Sequence, residues 1–427
     1  MHVLFCHSQF PAQFGFFAHH AAEHLGWRCS FVCERPARLK TKVDIITYKK
    51  GFGATQHHSY FSRGFENAAA QYEAVFRTLK ARSDIRPDLI VGHAGLGGAL
   101  FLRELYDVPM LSFFEYYYHL HDSDMDFRPD FPPSEASRLR LMLRNAPLLV
   151  ELQDCDQGYC PTRFQRSLFP SEYQAKLHTV FDGIDTSIWR PRDDATRTWQ
   201  GRSIDPRTRI VTYCSRGFES MRGFDIFMRA AKLIYQQYPD VVFLVVGTDR
   251  ICYGGDERFI APHATFKQFV LSKDQYDLSK FLFLGQLAIG ELAKVLSIGD
   301  AHIYLTAPFV LSWSMLNAMA CGAVVVGSRT KPVLEVVEHG RTGLLADFFS
   351  PQEVADQVLG VLKRPEDFVA MRRAAVDLIG DEYSTAVTYP KLAELCTQVA
   401  RGEFPRQSHS APTMAASQTT RTLERIS

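Results

Sequence analysis

Two arginines stand close together in the stretch Tyr213-Cys-Ser-Arg216-Gly-Phe-Glu-Ser-Met-Arg222-Gly223. The stretch follows a strand-like apolar run, and Gly223 lets the backbone turn closely into the next helix. A guanidinium forks onto phosphate oxygens where a lysine acts as a point charge, so this loop suits a diphosphate. A solvated surface pair with no chemistry is the alternative. A second segment, Pro308-Phe-Val-Leu-Ser-Trp-Ser-Met-Leu-Asn-Ala-Met-Ala-Cys-Gly322, reads as a loop and a helix. Ser312 can cap that helix and Gly322 can close it, leaving free N–H groups and a partial positive charge for an anion. An ordinary strand–loop–helix unit explains the spacing but not the particular residues. His93, in Gly92-His-Ala-Gly-Leu-Gly-Gly98, has glycine neighbours that allow close approach of a ligand; a satisfied structural histidine fits as well. Glu115 ends a strand inside the run Phe113–Tyr118, and either bonds substrate hydroxyls or is a paired structural carboxylate.

Residues of this kind need a scaffold that ends in loops at one edge. Short apolar runs alternate with segments of helical period, which predicts an α/β fold with two Rossmann-like, doubly wound domains. Strands are expected at Val3–Cys6, Cys29–Cys33, Leu89–Gly92 and Met110–Phe114, with a helix over Phe14–His24. In the second half Ile210–Cys214, Val241–Val246, Phe281–Leu284, Ala301–Leu305 and Ala323–Val326 repeat the theme. Ligands of such sheets bind beyond the carboxyl ends of the strands, which places a site in the cleft between two facing domains. The domains are expected at 1–190 and 191–382, followed by a helix within 383–403 and a disordered tail over 404–427, rich in Ser, Thr, Pro, Gln and Ala.

The 427 residues are too many for one core. The formal net charge of +1 supplies no global field for nucleic acid or anionic lipid. Nine cysteines without metal-ligand spacing read as reduced thiols, and no run approaches the ~20 apolar residues that span a bilayer. A cytoplasmic protein is expected. A dinucleotide-dependent oxidoreductase would carry its glycine fingerprint after the first strand, where His7-Ser-Gln-Phe-Pro-Ala-Gln-Phe-Gly15 has no glycine triplet.

Over essentially residues 2–400 the chain resembles the family-4 (group 1) glycosyltransferases of GT-B fold. Their donor segment has the form Glu, seven residues, Glu, then Ala-Met-Ala-Cys-Gly, and the last five residues here are Ala318–Gly322. Lys331-Pro-Val-Leu-Glu335 with His339-Gly340-Arg-Thr-Gly343, and Asp182-Gly-Ile-Asp185 with Trp189-Arg-Pro191, are similar to the same family. His7–Phe14, Phe114–Tyr118 and Cys160–Gln165 resemble one bacterial branch of it. The resemblance implies a retaining hexosyltransferase that uses a nucleotide diphosphate sugar, a UDP- or GDP-sugar first, with domain closure forming the site. It implies roles for Arg216 and Arg222 on the diphosphate and for His93 near the transferred sugar. Donor contacts are implied for Phe309, Val310, Leu311, Ser312, Asn317, Gly15 and Glu335, and acceptor contacts for Gln13 and Glu115. No bound cofactor and no metal are expected, since arginines can meet the phosphate charge.

Both glutamates of the spaced pair are missing, their places taken by Phe309 and Asn317. Phenylalanine accepts no hydrogen bond, and asparagine loses a charge-assisted one worth on the order of 1–2 kcal/mol. A non-catalytic nucleotide-sugar-binding or scaffold relative is therefore the second reading. Within the fold an epimerase or a phosphorylase is also conceivable, though a phosphorylase normally needs a cofactor lysine and a longer chain. The implied acceptor is a glycan or a lipid-linked glycan. Peripheral membrane contact then draws attention to Arg138-Leu-Arg140-Leu-Met-Leu-Arg144 and to the aromatic run Phe113–Tyr118. Core packing of those apolar residues with a solvated arginine face is the simpler account.

Overall fold

The computed structural model describes residues 1–192 and 197–404. A seven-stranded sheet is formed by β1 His2–Cys6, β2 Arg28–Cys33, β3 Asp44–Thr47, β4 Leu89–His93, β5 Met110–Phe113, β6 Gln157–Cys160 and β7 Leu177–Thr179, in the order β3-β2-β1-β4-β5-β6-β7. A six-stranded sheet follows from β8 Arg209–Gly217, β9 Val241–Thr248, β10 Phe281–Gly285, β11 Ala301–Tyr304, β12 Val324–Ser328 and β13 Leu344–Ala346, in the order β10-β9-β8-β11-β12-β13. Neighbouring strands in both are parallel. Parallel strands are buried on both faces, so the central ones read as unbroken apolar runs such as Val241-Val-Phe-Leu-Val-Val246. The chain order reverses between β1 and β4 and again between β8 and β11. At those switch points the outgoing loops part, leaving a crevice that points a ligand at the strand ends.

The helices that frame the site are α1 Gly15–His24, α2 Arg63–Lys80, α3 Glu135–Arg144, α4 Ala146–Asp154, α5 Arg163–Ser167, α6 Phe224–Gln237, α7 Trp313–Ala320 and α8 Thr385–Ala400. The last of these returns to the first sheet. Tyr389, Leu392, Leu395, Cys396 and Val399 pack into one core with Val3, Phe5, Phe17 and Leu111. The chain thus closes on the half in which it began, ending as a described structure just short of the segment 405–427, so most of the expected tail lies outside the described residues.

Two readings of local structure need correction. The aromatic run after β5 is not a surface: Phe113, Phe114 and Tyr116 are buried. In α3, by contrast, only Leu141 is buried, and Leu139, Met142 and Leu143 are exposed beside the arginines. Core packing accounts for one of its four apolar side chains. All nine cysteines are free thiols.

Candidate active site

At the second switch point β8 delivers Arg216 at its carboxyl end, and the chain turns through Ser220–Arg222 into α6. Gly223 makes that turn possible: its φ of 61° is left-handed, and a Cβ there would meet Leu305 Cβ at 2.8 Å. Arg222 is 7% exposed and donates to Thr306 Oγ1 at 2.7 Å and to the Val310 carbonyl at 3.3 Å. Its guanidinium carbon lies 5.5 Å from the Tyr253 ring and 5.9 Å from the Phe309 ring. Arg216 is exposed and donates to the Tyr253 hydroxyl at 3.2 Å. Among the described residues neither arginine is ion-paired with a carboxylate. A buried cation without a counter-ion is costly unless an anion arrives, and here it lines a pocket with Arg216, Tyr253, Tyr304, Ser312 and Ser314. Ser312 accepts from Ser314 N as the N-cap of α7. The arginines thus face the amino end of a helix, and both favour an anion.

Across the cleft, β4 ends at His93. Gly97 allows the following loop to fold back on the strand, since a Cβ there would meet the Cys6 carbonyl at 2.5 Å. His93 is 2% exposed, and its Nδ1 donates to the Ala94 carbonyl at 2.9 Å. Its Nε2 faces Glu115 Oε2 at 3.7 Å, an ion-pair contact beyond hydrogen-bond length. Burial favours the neutral ring, but the Glu115 carboxylate and the Ala94 carbonyl outweigh it and raise His93 above its ordinary value. Burial likewise works to raise Glu115, yet His93, then Gln13 and Arg216, hold it below the usual carboxylate range. The Gln13 side chain donates to Glu115 Oε1 at 3.3 Å. His7 stands edge-on to His93, with ring centroids 5.0 Å apart. Its Nδ1 accepts from Gln9 N, and burial, with the charge of His93 second, pulls it down to about 3. The surroundings thus keep the His7 ring neutral and favour the proton on His93.

The structure brings His93, Glu115 and Gln13 into one cluster, and Arg216, Arg222, Val310 and Ser312 into another. Phe309 is 7% exposed and packs edge-on against Tyr116 from the other half, with centroids 4.6 Å apart. Tyr116, Met221, Ala307 and Phe309 form a small apolar core across the cleft, and the Tyr116 hydroxyl lies 3.0 Å from the Pro308 carbonyl. Asn317 is 7% exposed and its Oδ1 is buried without a partner. Three other candidates have structural employment. Leu311 is buried in the core of the second half beside Met315. Gly15 is buried, with no room for a Cβ beside Pro11. The Glu335 carboxylate accepts from Arg163 N and Phe164 N, both at 2.8 Å, and so caps α5 across the cleft.

Several neighbours of the site carry no motif in the sequence. Tyr253 follows β9, and the general rule that loops after strands carry chemistry was the available signal. Its loop is pinned by Glu219 Oε2, which accepts from Cys252 N, Tyr253 N and Gly254 N at 2.9, 2.8 and 3.1 Å. Trp313 Nε1 donates to Asp182 Oδ2 at 2.8 Å across the cleft, and burial pushes Asp182 up to about 7. Among the described residues no group of three or more His, Cys, Asp or Glu could hold a metal ion.

Glu151 of α4 supports the His93 loop: its Oε1 accepts from the Tyr72 hydroxyl at 2.6 Å and from Gly95 N at 2.8 Å. Burial pushes this carboxyl from 4.5 up to about 7. Between those values the folded chain holds a proton that the unfolded chain has released, so the group's contribution to stability falls as pH rises through the window. Glu151→Gln stays neutral and keeps a carbonyl oxygen for both donors. Its melting temperature relative to the parent is therefore expected to be higher at pH 8 than at pH 5. Thermal unfolding at the two pH values checks this; an unchanged difference would mean that Glu151 is ionised in the fold.

A family model described as "Glycosyl transferase family 4 group" matches residues 25–189, and one described as "Glycosyl transferases group 1" matches residues 197–377. The chain belongs to the group 1, family-4 glycosyltransferases. Among curated relatives it is 28% identical over 190 residues to the N-acetyl-alpha-D-glucosaminyl L-malate synthase of Bacillus anthracis, a match covering 44% of this chain and 45% of that protein. It is 25% identical over 336 residues to the D-inositol 3-phosphate glycosyltransferase of Corynebacterium glutamicum, covering 75% of each. In fold it is similar to Anabaena HepE in complex with UDP and glucose, with a TM-score of 0.68 at 14% identity over 93% of this chain and 100% of that one. The sucrose-phosphate synthase of Thermosynechococcus elongatus gives a TM-score of 0.72 at 18% identity, covering 94% and 99%. The expected GT-B architecture of this glycosyltransferase stands on these neighbours and on its two sheets.

Proposed function

We propose that this glycosyltransferase moves a hexosyl group from a UDP- or GDP-sugar to a glycan or lipid-linked acceptor, with retention of configuration. The observation that carries the reading is Arg222, a buried guanidinium without a carboxylate partner among the described residues, beside Arg216 and the amino end of α7. The diphosphate lies there, and the two arginines stabilise it as it departs, when negative charge builds on its oxygens. A ribose hydroxyl supplies the partner that buried Asn317 Oδ1 lacks. His93 and Glu115 face the sugar from the other side. The neighbour in fold Anabaena HepE, in complex with UDP and glucose, supports a nucleotide ligand, and family membership supports retention. The domain division is placed at 190/191, between β7 and β8, and the acceptor side is assigned to the first sheet. A non-catalytic relative has nothing in its favour beyond Phe309 and Asn317. The test is calorimetric titration with UDP, GDP and ADP, followed by transfer or donor hydrolysis with sugars of the base that binds. Binding of none at millimolar concentration would overturn the reading.

The acceptor side carries a face suited to an anionic membrane on the cytoplasmic side. Phe52 is fully exposed beside Lys49 and Lys50, and its loop is tied to α2 by Ala54 N donating to Asn67 Oδ1. Arg140 lies 4.9 Å over the Tyr60 ring, which joins this loop to the exposed Leu139, Met142 and Leu143 of α3. Basic residues near an anionic leaflet contribute about 1 kcal/mol each, and the apolar side chains add their burial. The protein is expected to co-sediment with phosphatidylglycerol vesicles but not with phosphatidylcholine ones. The Phe52→Asp, Met142→Asp variant is expected to stay in the supernatant. No sedimentation of the parent with either vesicle would remove the membrane from the reading. No helix among the described residues is long and apolar enough to cross a bilayer.

A further inference from the structure

Between β5 and α3 the chain crosses from the first half, where Tyr118 N and O pair with the Asn145 side chain, onto the second. Residues 116–133 are fastened there at several points. Phe127 packs on Phe348 and Phe349, Phe131 packs on Phe259 and Phe266, and Arg258 donates to the Pro132 carbonyl at 2.6 Å. The central fastening is Arg128, 3% exposed, with its guanidinium 4.9 Å from the Phe131 ring and 5.2 Å from the Phe348 ring. It forks onto Asp225 of α6 at 3.1 and 2.8 Å, and Nη1 also donates to the Ser220 carbonyl at 2.5 Å. Ser220 opens the turn that ends in Arg222. From its own half the turn is held by Asp256, which accepts from Ser220 N at 2.7 Å and from Ser220 Oγ at 2.6 Å, by Ala307 N donating to the Met221 carbonyl at 2.8 Å and by the Tyr213 hydroxyl donating to the Arg222 carbonyl at 2.8 Å.

We propose that Arg128 is a positioning residue for the diphosphate site: an arginine from the acceptor-side half that fixes the Ser220–Arg222 turn and so the aim of the Arg222 guanidinium. The proposal rests on the reading of Arg222 as a phosphate ligand. The geometry favours a specific role over general cohesion, because Arg128 Nη1, besides its part in the fork onto Asp225, donates to the carbonyl two residues before Arg222. Asp225 also pairs with Arg229 at 3.2 Å, so it keeps a cation when Arg128 is removed, whereas no other hydrogen bond is described to the Ser220 carbonyl except that from Gly223 N. Arg128 touches no ligand itself. The phosphate-binding power of one half therefore depends on a contact made by the other, and the diphosphate site is complete only while residues 116–133 are seated.

The experiment compares the parent with Arg128→Gln and Arg128→Lys, using UDP or GDP, whichever the parent binds, and the matching nucleoside. Arg128→Gln is expected to weaken the diphosphate about tenfold and leave the nucleoside unchanged, with Arg128→Lys in between. Hydrogen exchange without ligand is expected to quicken at Arg222, Gly223 and Phe224, whose N–H groups bond within the turn to Glu219 and Ser220. Equal weakening of both ligands would mean a general loss of structure, and no change in either would mean that the turn holds itself; each overturns the proposal. If the parent binds no nucleotide, the reading of the site fails, and the exchange rates still decide whether Arg128 orders the turn.

Discussion

Arg222→Ala is expected to raise the dissociation constant for the nucleotide diphosphate by on the order of 10²–10³, because two or three charge-assisted bonds to phosphate are lost at about 1.5–3 kcal/mol each and partly replaced by water. The size follows from burial. At 7% exposure the guanidinium is screened little by solvent, and it meets an incoming diphosphate already held by Thr306 and Val310. Arg216→Ala should cost less, about tenfold, since Arg216 is exposed and its described side-chain hydrogen bond is a single one to the Tyr253 hydroxyl. Arg222→Lys should fall between the two, because an ammonium cannot make the same fork. Titration calorimetry ranks the three variants. Equal and small effects would place the diphosphate away from Arg222. The alanine variant also leaves the Thr306 hydroxyl and the Val310 carbonyl without their donor, so its melting temperature must be followed alongside.

The local geometry of this half was largely written in the chain. An apolar run, a loop with two arginines and a glycine before a helix specify a strand and a left-handed turn with cations beside it, and β8, Gly223, Arg216 and Arg222 stand in those places. Strands β3, β6, β7 and β13 were not marked. Asp44-Ile-Ile-Thr47 and Gln157-Gly-Tyr-Cys160 are short and mixed in polarity, and only their sheet neighbours make them strands. The return of α8 to the first core was likewise invisible, since its apolar face says that it packs but not on what. Arg128 is the sharpest case. Between two stretches of Asp, Pro and Phe it reads as one more surface charge, and only a contact 97 residues away gives it a role. Phe309 was read as a lost hydrogen-bonding group. Its ring fills an apolar contact with Tyr116 that a carboxylate could not, so the substitution and the Tyr-rich run across the cleft make one packing unit.

His93→Gln is expected to separate binding from transfer. The residue stands on the opposite wall from the arginines, so nucleotide affinity should change by less than about threefold while the transfer rate falls by on the order of 10², the usual scale for one positioned acid–base or hydrogen-bonding group. Its proton is the working part. Nδ1 is committed to the Ala94 carbonyl, and Nε2 carries a proton toward Glu115 because that carboxylate raises the ring above 6.5. The charged pair therefore exists below the raised value and is lost as pH climbs through it. If the imidazolium holds the sugar, the rate falls along an alkaline limb that begins above pH 6.5. Glu115→Gln removes the group that raises the ring and should move that limb to lower pH, whereas His93→Gln should abolish it. His7 cannot take over, since its own ring is held down to about 3 and remains neutral throughout. A limb that survives in His93→Gln would assign the titration to another group, and one alternative at the cleft is Asp182, pushed by burial up to about 7 and hydrogen-bonded to Trp313. Both groups lose a proton as pH rises, and Trp313→Phe distinguishes them: it would shift only the carboxyl, to higher pH, since the indole N–H that favours its charged form would be gone.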